Sequence, residues 1–281
     1  MDIQKCSTDI AGARMEYLRA GSGPPLLLIH GLIGGNFCWR FNIPEFSAGH
    51  TTFAVDLPGF GESDAPVDLD CSMRAQALRL AQWMEQNHME SVDVLGASWG
   101  GGVAVLLAAM SSRVRSLVLA APVNPWSQNG KGRVRFFSRR SGATLLRVAM
   151  PFSRPLHPVA VQRMYGERSR IPAGTVDGYS QRLLRRGRVP NIVNTLRNWD
   201  KDLSALEKSF QSVQTPALLI WGTRDTAVDI RSSEVLLQKL PASELALIEG
   251  AGHLPFEETP EEFNRLVLDF LERAPARTQT T

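Results

Sequence analysis

The chain has 281 residues, 43% hydrophobic, 21% charged and 7% aromatic, with a formal net charge of +3. That length accommodates one large core, with or without an inserted segment, and the apolar fraction excludes a largely disordered chain. The small total hides an asymmetry: residues 125–210 hold 17 Lys+Arg against 5 Asp+Glu, a balance of +12, and the remainder balances to −9.

Taken in chain order, Arg14 to Leu18 is expected in an antiparallel N-terminal hairpin, followed by strands at Leu26–Ile29 and Thr52–Val55. A helical period runs from Ala75 to Met89, then a strand at Val92–Leu95, an apolar helix at Gly100–Met110 and a strand at Leu117–Ala120. From Val123 to Gln211 the alternation stops, and prolines at 125, 151, 155, 158, 172 and 190 predict short, broken helices. It resumes with strands at Ala217–Ile220 and Leu245–Ile248 and helices at Arg231–Leu240 and Pro260–Glu272. Strands apolar along most of their length suit a sheet buried on both faces. The fold class expected is therefore α/β, a mostly parallel sheet flanked by helices. Residues 1–122 and 212–281 form the core in this reading, and 123–211 a helical lid inserted between two strands. Ala274 to Thr281 reads as an unstructured polar tail.

Three scattered cysteines, Cys6, Cys38 and Cys71, offer neither a disulfide framework nor a zinc cluster. No apolar stretch approaches the roughly 20 residues of a membrane span. The start Met1-Asp2-Ile3-Gln4-Lys5 lacks a secretory pattern, so a cytoplasmic location is expected. Neither a metal-binding spacing nor a phosphate or dinucleotide fingerprint appears, and no cofactor is expected.

The strand at Val92–Leu95 runs into Gly96-Ala97-Ser98-Trp99-Gly100 and directly into a helix. Gly-x-Ser-x-Gly between strand and helix marks a nucleophile elbow, a turn so tight that bulkier residues flanking the serine would collide with both elements. The turn also leaves the Trp99 N–H at a helix start, available to a developing oxyanion. A serine nucleophile needs a base, and the base an orienting acid. Of five histidines, His157 falls in the insertion, His50 and His88 in surface loops and His30 at a strand end. His253, in the loop Gly250-Ala251-Gly252-His253 after the last strand, is the candidate base. Asp225, in Trp221-Gly222-Thr223-Arg224-Asp225, lies at the same sheet edge and is the candidate acid, with Asp229 as the alternative.

The order Ser98, Asp225, His253 resembles that of α/β-hydrolases, in the branch of lidded esterases and carbon–carbon-bond hydrolases. The likeness runs from Leu26-Leu27-Leu28-Ile29-His30-Gly31 through Asp56-Leu57-Pro58-Gly59-Phe60-Gly61-Glu62-Ser63 to the final helix. It implies that the Leu32 N–H joins that of Trp99 in an oxyanion hole, and that His30 and Asp56 are structural. Serine at the elbow disfavours the haloalkane dehalogenases and epoxide hydrolases of this fold, which carry aspartate there. Ile33-Gly34-Gly35 and Leu254 depart from the pattern usual in ring-cleavage-product hydrolases. The basic insertion lacks the acidic cluster that would suit an aminopeptidase.

The expected function is hydrolysis of carboxylic esters of small to medium acyl chain, a small-molecule substrate, through an acyl-enzyme. The alternatives are a carbon–carbon-bond hydrolase of a ring-cleavage product, an acyl thioesterase, or a hydrolase-fold ligand receptor. The arginines at 133, 135, 139, 140, 147 and 154, and at 182, 185, 186 and 188, read as a solvated face, or as recognition of an anionic substrate, an acidic carrier protein or anionic lipid. Nucleic acid is disfavoured by the acidic body. Phe136, Phe137, Phe152 and Trp199 are expected to supply apolar walls.

Overall fold

The computed structural model describes residues 2–274; of the tail expected over Ala274 to Thr281, Ala274 is buried with its N–H donating to the Phe270 carbonyl at 2.9 Å, and residues 275–281 lie outside the described residues. Eight strands form one sheet: β1 (Ile3–Ile10), β2 (Ala13–Ala20), β3 (Pro25–Ile29), β4 (Thr51–Asp56), β5 (Val92–Ala97), β6 (Val114–Ala120), β7 (Ala217–Gly222) and β8 (Ser243–Ile248). Their spatial order is β1-β2-β4-β3-β5-β6-β7-β8, and only β2 runs against the rest. The helices are α1 (Ile43–Phe46), α2 (Met73–Gln86), α3 (Trp99–Met110), α4 (Lys131–Ser138), α5 (Arg140–Ala149), α6 (His157–Gln162), α7 (Thr175–Leu183), α8 (Arg188–Phe210), α9 (Ser232–Lys239), α10 (Pro255–Glu258) and α11 (Pro260–Arg273). The apolar strand runs are explained by burial on both sides. Leu27, Val94, Leu119 and Leu219 face a layer containing α2 and α3, while Leu26, Leu28, Val118 and Ile220 face α11 on the other side.

Two element predictions need correction. The helix expected over Ala75–Met89 spans Met73–Gln86: Ser72 caps its start by accepting from the Ala75 N–H at 3.2 Å, and His88 turns the chain at φ 52° just beyond its end. The expectation of broken helices fails at α8, which runs 23 residues through Pro190. Pro190 is the third residue of that helix, where a backbone N–H has no intrahelical acceptor to lose. The segment between β6 and β7 is otherwise helical, with α4 to α8 packed above the carboxyl ends of the strands.

That edge gathers the chemistry-bearing residues. His30 follows β3, Ser98 follows β5, Asp225 lies in the loop after β7 and His253 in the loop after β8. β3 and β5, adjacent at the centre, are followed by helices or loops that depart to opposite sides, and the crevice opened there is where ligands bind open α/β sheets.

Candidate active site

Ser98 sits between β5 and α3 at φ 52°, ψ −120°, a backbone region costly for a residue with a side chain. The flanking glycines are a steric requirement. A Cβ on Gly96 would stand 2.5 Å from the Gly100 carbonyl oxygen, and one on Gly100 would stand 2.3 Å from that of His30. The strained turn lifts Oγ above the sheet, where it donates to His253 Nε2 at 2.9 Å. His253 Nδ1 donates in turn to Asp225 Oδ2 at 2.8 Å. With Nδ1 committed as donor to a carboxylate, Nε2 of the neutral ring is left as acceptor, the tautomer a base requires. The other carboxylate oxygen of Asp225 accepts from the N–H groups of Ala227 (2.7 Å) and Val228 (3.1 Å), which fix its plane. Asp229, the alternative acid, is instead held by Arg231, whose Nη2 reaches Oδ2 at 2.8 Å. Arg224 turns away to Glu167.

Gly31 to Gly34 forms a tight turn, closed by the Gly34 N–H donating to the Gly31 carbonyl at 3.0 Å, and Leu32 lies at its corner. A Cβ on Gly31 would come within 3.3 Å of that of Ser98, so this loop and the elbow are in contact. Leu32 and Trp99 both line the cavity that contains Ser98. The buried His30 braces the loop from beneath: Nδ1 donates to the Gly31 carbonyl at 2.7 Å and Nε2 accepts from the Leu57 N–H at 3.1 Å. Burial lowers its pKa to about 4. Asp56 accepts from the Asn36 N–H at 2.5 Å and the Glu62 N–H at 2.8 Å, and burial raises its pKa to about 6. It fixes a turn and does not reach His253, in keeping with the structural role implied for it.

The His30 environment yields a pH prediction. A histidine whose folded pKa lies below its unfolded value of about 6.5 costs nothing above that pH and destabilises as pH falls toward 4. The loss approaches about 3 kcal/mol once pH is below both values. Asp56, raised to about 6, works in the opposite sense over the same range. Urea unfolding of wild type and His30→Gln from pH 7 to pH 4 is therefore expected to show the two stabilities converging as pH falls. Parallel curves would mean that the ring is accessible to protons in the folded state.

The cavity over Ser98 has a volume of about 360 Å³ and mostly apolar walls, including Val134, Val161, Met164, Leu183, Trp199 and Leu203. Of the four expected wall residues only Trp199 lines it. Phe136 and Phe137 meet edge to face outside it, their centroids 5.1 Å apart, and Phe152 is 80% exposed. Helical phase explains the difference, since α4 and α6 turn Val134 and Val161 inward. His157, set aside on sequence grounds, does line the cavity, with Nδ1 2.6 Å from Ser180 Oγ and Nε2 2.8 Å from Ser153 Oγ. None of the ten arginines at 133–188 picked out above lines it, and Lys131 is its fixed cation among the described residues. Arg188, buried, donates to the carbonyls of Gly61 (2.6 Å) and Ser63 (2.7 Å), and Arg185 pairs with Glu62. Two of the four arginines of the second cluster, Arg185 and Arg188, thus hold the insertion onto the Asp56–Asp64 loop.

A set of positioning contacts left no trace in the sequence beyond two acidic residues at a helix start. Glu258 accepts from the N–H groups of Gly252 (2.7 Å), Gly166 (2.9 Å) and Glu167 (2.8 Å), and the His253 N–H donates to the Met164 carbonyl at 2.6 Å. Beside it, buried Glu257 is held by Arg40 at 2.7 Å and by the hydroxyls of Tyr165 and Tyr179. The loop bearing His253 is therefore tied to the insertion at residues 164–167.

A family model described as alpha/beta hydrolase fold matches residues 24–260. The chain is 27% identical to the 2-hydroxymuconate semialdehyde hydrolase of Pseudomonas sp. (strain CF600), over 95% of this chain and 93% of that one. It is 26% identical to Lipase 1 of Psychrobacter immobilis, over 92% of this chain and 80% of the lipase. The epoxide hydrolase CorEH superposes with a TM-score of 0.84 at 22% identity, covering 96% of this chain and 99% of that one, a likeness of fold.

Proposed function

Since the chain belongs to the alpha/beta hydrolase fold family, whose relatives carry several hydrolytic chemistries, we propose that it is a serine hydrolase of carboxylic esters with small to medium, uncharged acyl groups. The observation that carries this reading is the hydrogen-bonded sequence Ser98–His253–Asp225 at the floor of an apolar cavity. Ser98 Oγ attacks the ester carbonyl as His253 Nε2 takes its proton; the imidazolium formed is stabilised by Asp225. The N–H groups of Leu32 and Trp99 receive the oxyanion, each worth about 3–4 kcal/mol of barrier when aimed at it. Collapse expels the alcohol, protonated by His253, and leaves an acyl-Ser98. Water, deprotonated by His253, attacks that acyl group and releases the acid with Ser98 restored. Serine at the position where the epoxide-opening members of the fold carry aspartate argues against epoxide chemistry. In this reading the insertion of residues 123–211 is a lid, closing the acyl site from above.

The cavity predicts selectivity. Each additional CH2 buried contributes about 0.8 kcal/mol, so kcat/KM along a series of p-nitrophenyl esters is expected to rise about fourfold per carbon until the site fills. An acyl chain ending in a carboxylate is expected to lose more than about tenfold against its neutral isostere, because an ion laid on apolar walls is desolvated and the lining's Lys131 is already engaged by the Pro125 carbonyl and Gln128 Oε1. Preference for the carboxylate-ended ester would sink the uncharged-substrate reading. The likeness to the semialdehyde hydrolase makes carbon–carbon cleavage the second reading; turnover of a ring-cleavage product faster than of any ester in the panel would select it.

A further inference from the structure

Eleven large hydrophobic side chains are exposed among the described residues, and six of them fall between residues 136 and 159: Phe136, Leu145, Val148, Phe152, Leu156 and Val159. They occupy α4, α5, the turns at 150–156 and α6, elements that pack on one another and form the outer side of the insertion. Their phase is consistent. On α5, Gly142 and Ala143 are buried while Leu145, Arg147 and Val148 face outward; on α6, Val161 points into the cavity while Val159 points out. Exposed apolar side chains scattered singly are ordinary, but six together on one face of a monomer mark a binding surface.

The charges around them are of one sign. Arg133, Arg135, Arg139, Arg140 and Arg147 are exposed and make no ion pair among the described residues. Arg154 pairs at 3.4 Å with Asp177, an exposed contact. No acidic residue occurs anywhere between Asp93 and Glu167. Outward apolar side chains bordered by unpaired arginines are the composition of a surface that lies in a lipid interface, with aliphatic and aromatic groups among the acyl chains and guanidinium groups among anionic headgroups. The face also adjoins the cavity: Ala160, beside Val159, is both exposed and part of the cavity lining.

We propose that this outer face of the insertion, from Phe136 to Val159, is a docking surface for an anionic lipid bilayer. The basic segment is complementary to that bilayer, whereas the acidic remainder of the chain would be repelled by it, so the protein docks in one orientation. The inference concerns this surface alone and holds whether or not Ser98 is a nucleophile.

The test is co-sedimentation of the full chain with vesicles of phosphatidylcholine alone and of equal parts phosphatidylcholine and phosphatidylglycerol, at low and high salt. Wild type is expected to sediment with the mixed vesicles, much less with pure phosphatidylcholine, and to be released by salt. Phe152→Ser with Leu156→Ser, and separately Arg139→Gln with Arg140→Gln and Arg147→Gln, are each expected to weaken partitioning by more than about tenfold. All five side chains are exposed, so both variants are expected to melt with wild type. Absence of wild-type sedimentation with either vesicle overturns the proposal. So does equal sedimentation of wild type and both variants, or salt-insensitive binding to pure phosphatidylcholine. A wild-type dimer in light scattering that the Phe152→Ser, Leu156→Ser variant dissolves would also overturn it, assigning the face to a second copy of the chain.

Discussion

Ser98→Ala is expected to lower kcat for the best ester by a factor of about 10⁴–10⁶ and to abolish covalent labelling by a fluorophosphonate. The substitution removes the atom that would attack and leaves the rest of the site in place: Ser98 Oγ donates to His253, whose ring remains held by Asp225. Substrate affinity is accordingly expected to change little. Because residue 98 is held at φ 52°, Ser98→Gly has a second, separable consequence. It should be as inactive as the alanine variant yet more stable to urea, since glycine relieves a strain of about 1–3 kcal/mol at the cost of a more flexible unfolded chain. Labelling that survives in both variants would place the nucleophile elsewhere. A glycine variant less stable than wild type would show that the strain in the turn is smaller than the cost of the freer unfolded chain.

Asp225→Asn is expected to reduce kcat by about 10⁴ with KM nearly unchanged. Asparagine keeps an oxygen to accept from the Ala227 and Val228 N–H groups, so the loop retains its shape. Its amide nitrogen would then meet His253 Nδ1 as a donor. The ring answers by placing its proton on Nε2, where it can no longer accept from Ser98. Partial recovery of activity at high pH, with hydroxide substituting for the lost base, would accompany that loss. Asp229→Asn is the control: its carboxylate is engaged by Arg231, and activity within about threefold of wild type is expected. A reversal of the two results would transfer the orienting role to Asp229.

The residues of the candidate site were legible because each lies where local chemistry advertises it. Ser98 is bracketed by glycines that sterics demand, and Asp225 and His253 follow apolar strands through glycine-marked loops to the same edge of the sheet. The strands themselves were readable from apolar runs alone, because a sheet covered on both faces has no polar side to confuse the pattern. Contacts across long stretches of chain were not readable. Arg188 serves carbonyls at Gly61 and Ser63, more than 120 residues away, and nothing about an arginine announces whether its partner is a substrate or a loop. The cavity walls are hard to read for a related reason. Of the aromatic residues expected inside, Trp199 lines the cavity, but the phase of α4 turns Phe136 outward, and a phase is set by what each helix packs against.

The bonds from Glu258 and Met164 to the loop of His253 bear on how this protein can be re-engineered. An insertion bounded by two strands invites replacement as a cassette, exchanged whole for that of a relative. Here such a transplant would also remove Gly166 and Glu167, partners of a carboxylate that steadies Gly252, next to His253. The working seam therefore does not follow the chain's own boundaries. A chimera that retains residues 164–167 with Glu258 keeps His253 in register; one that exchanges them inherits a new cavity over a misaligned histidine.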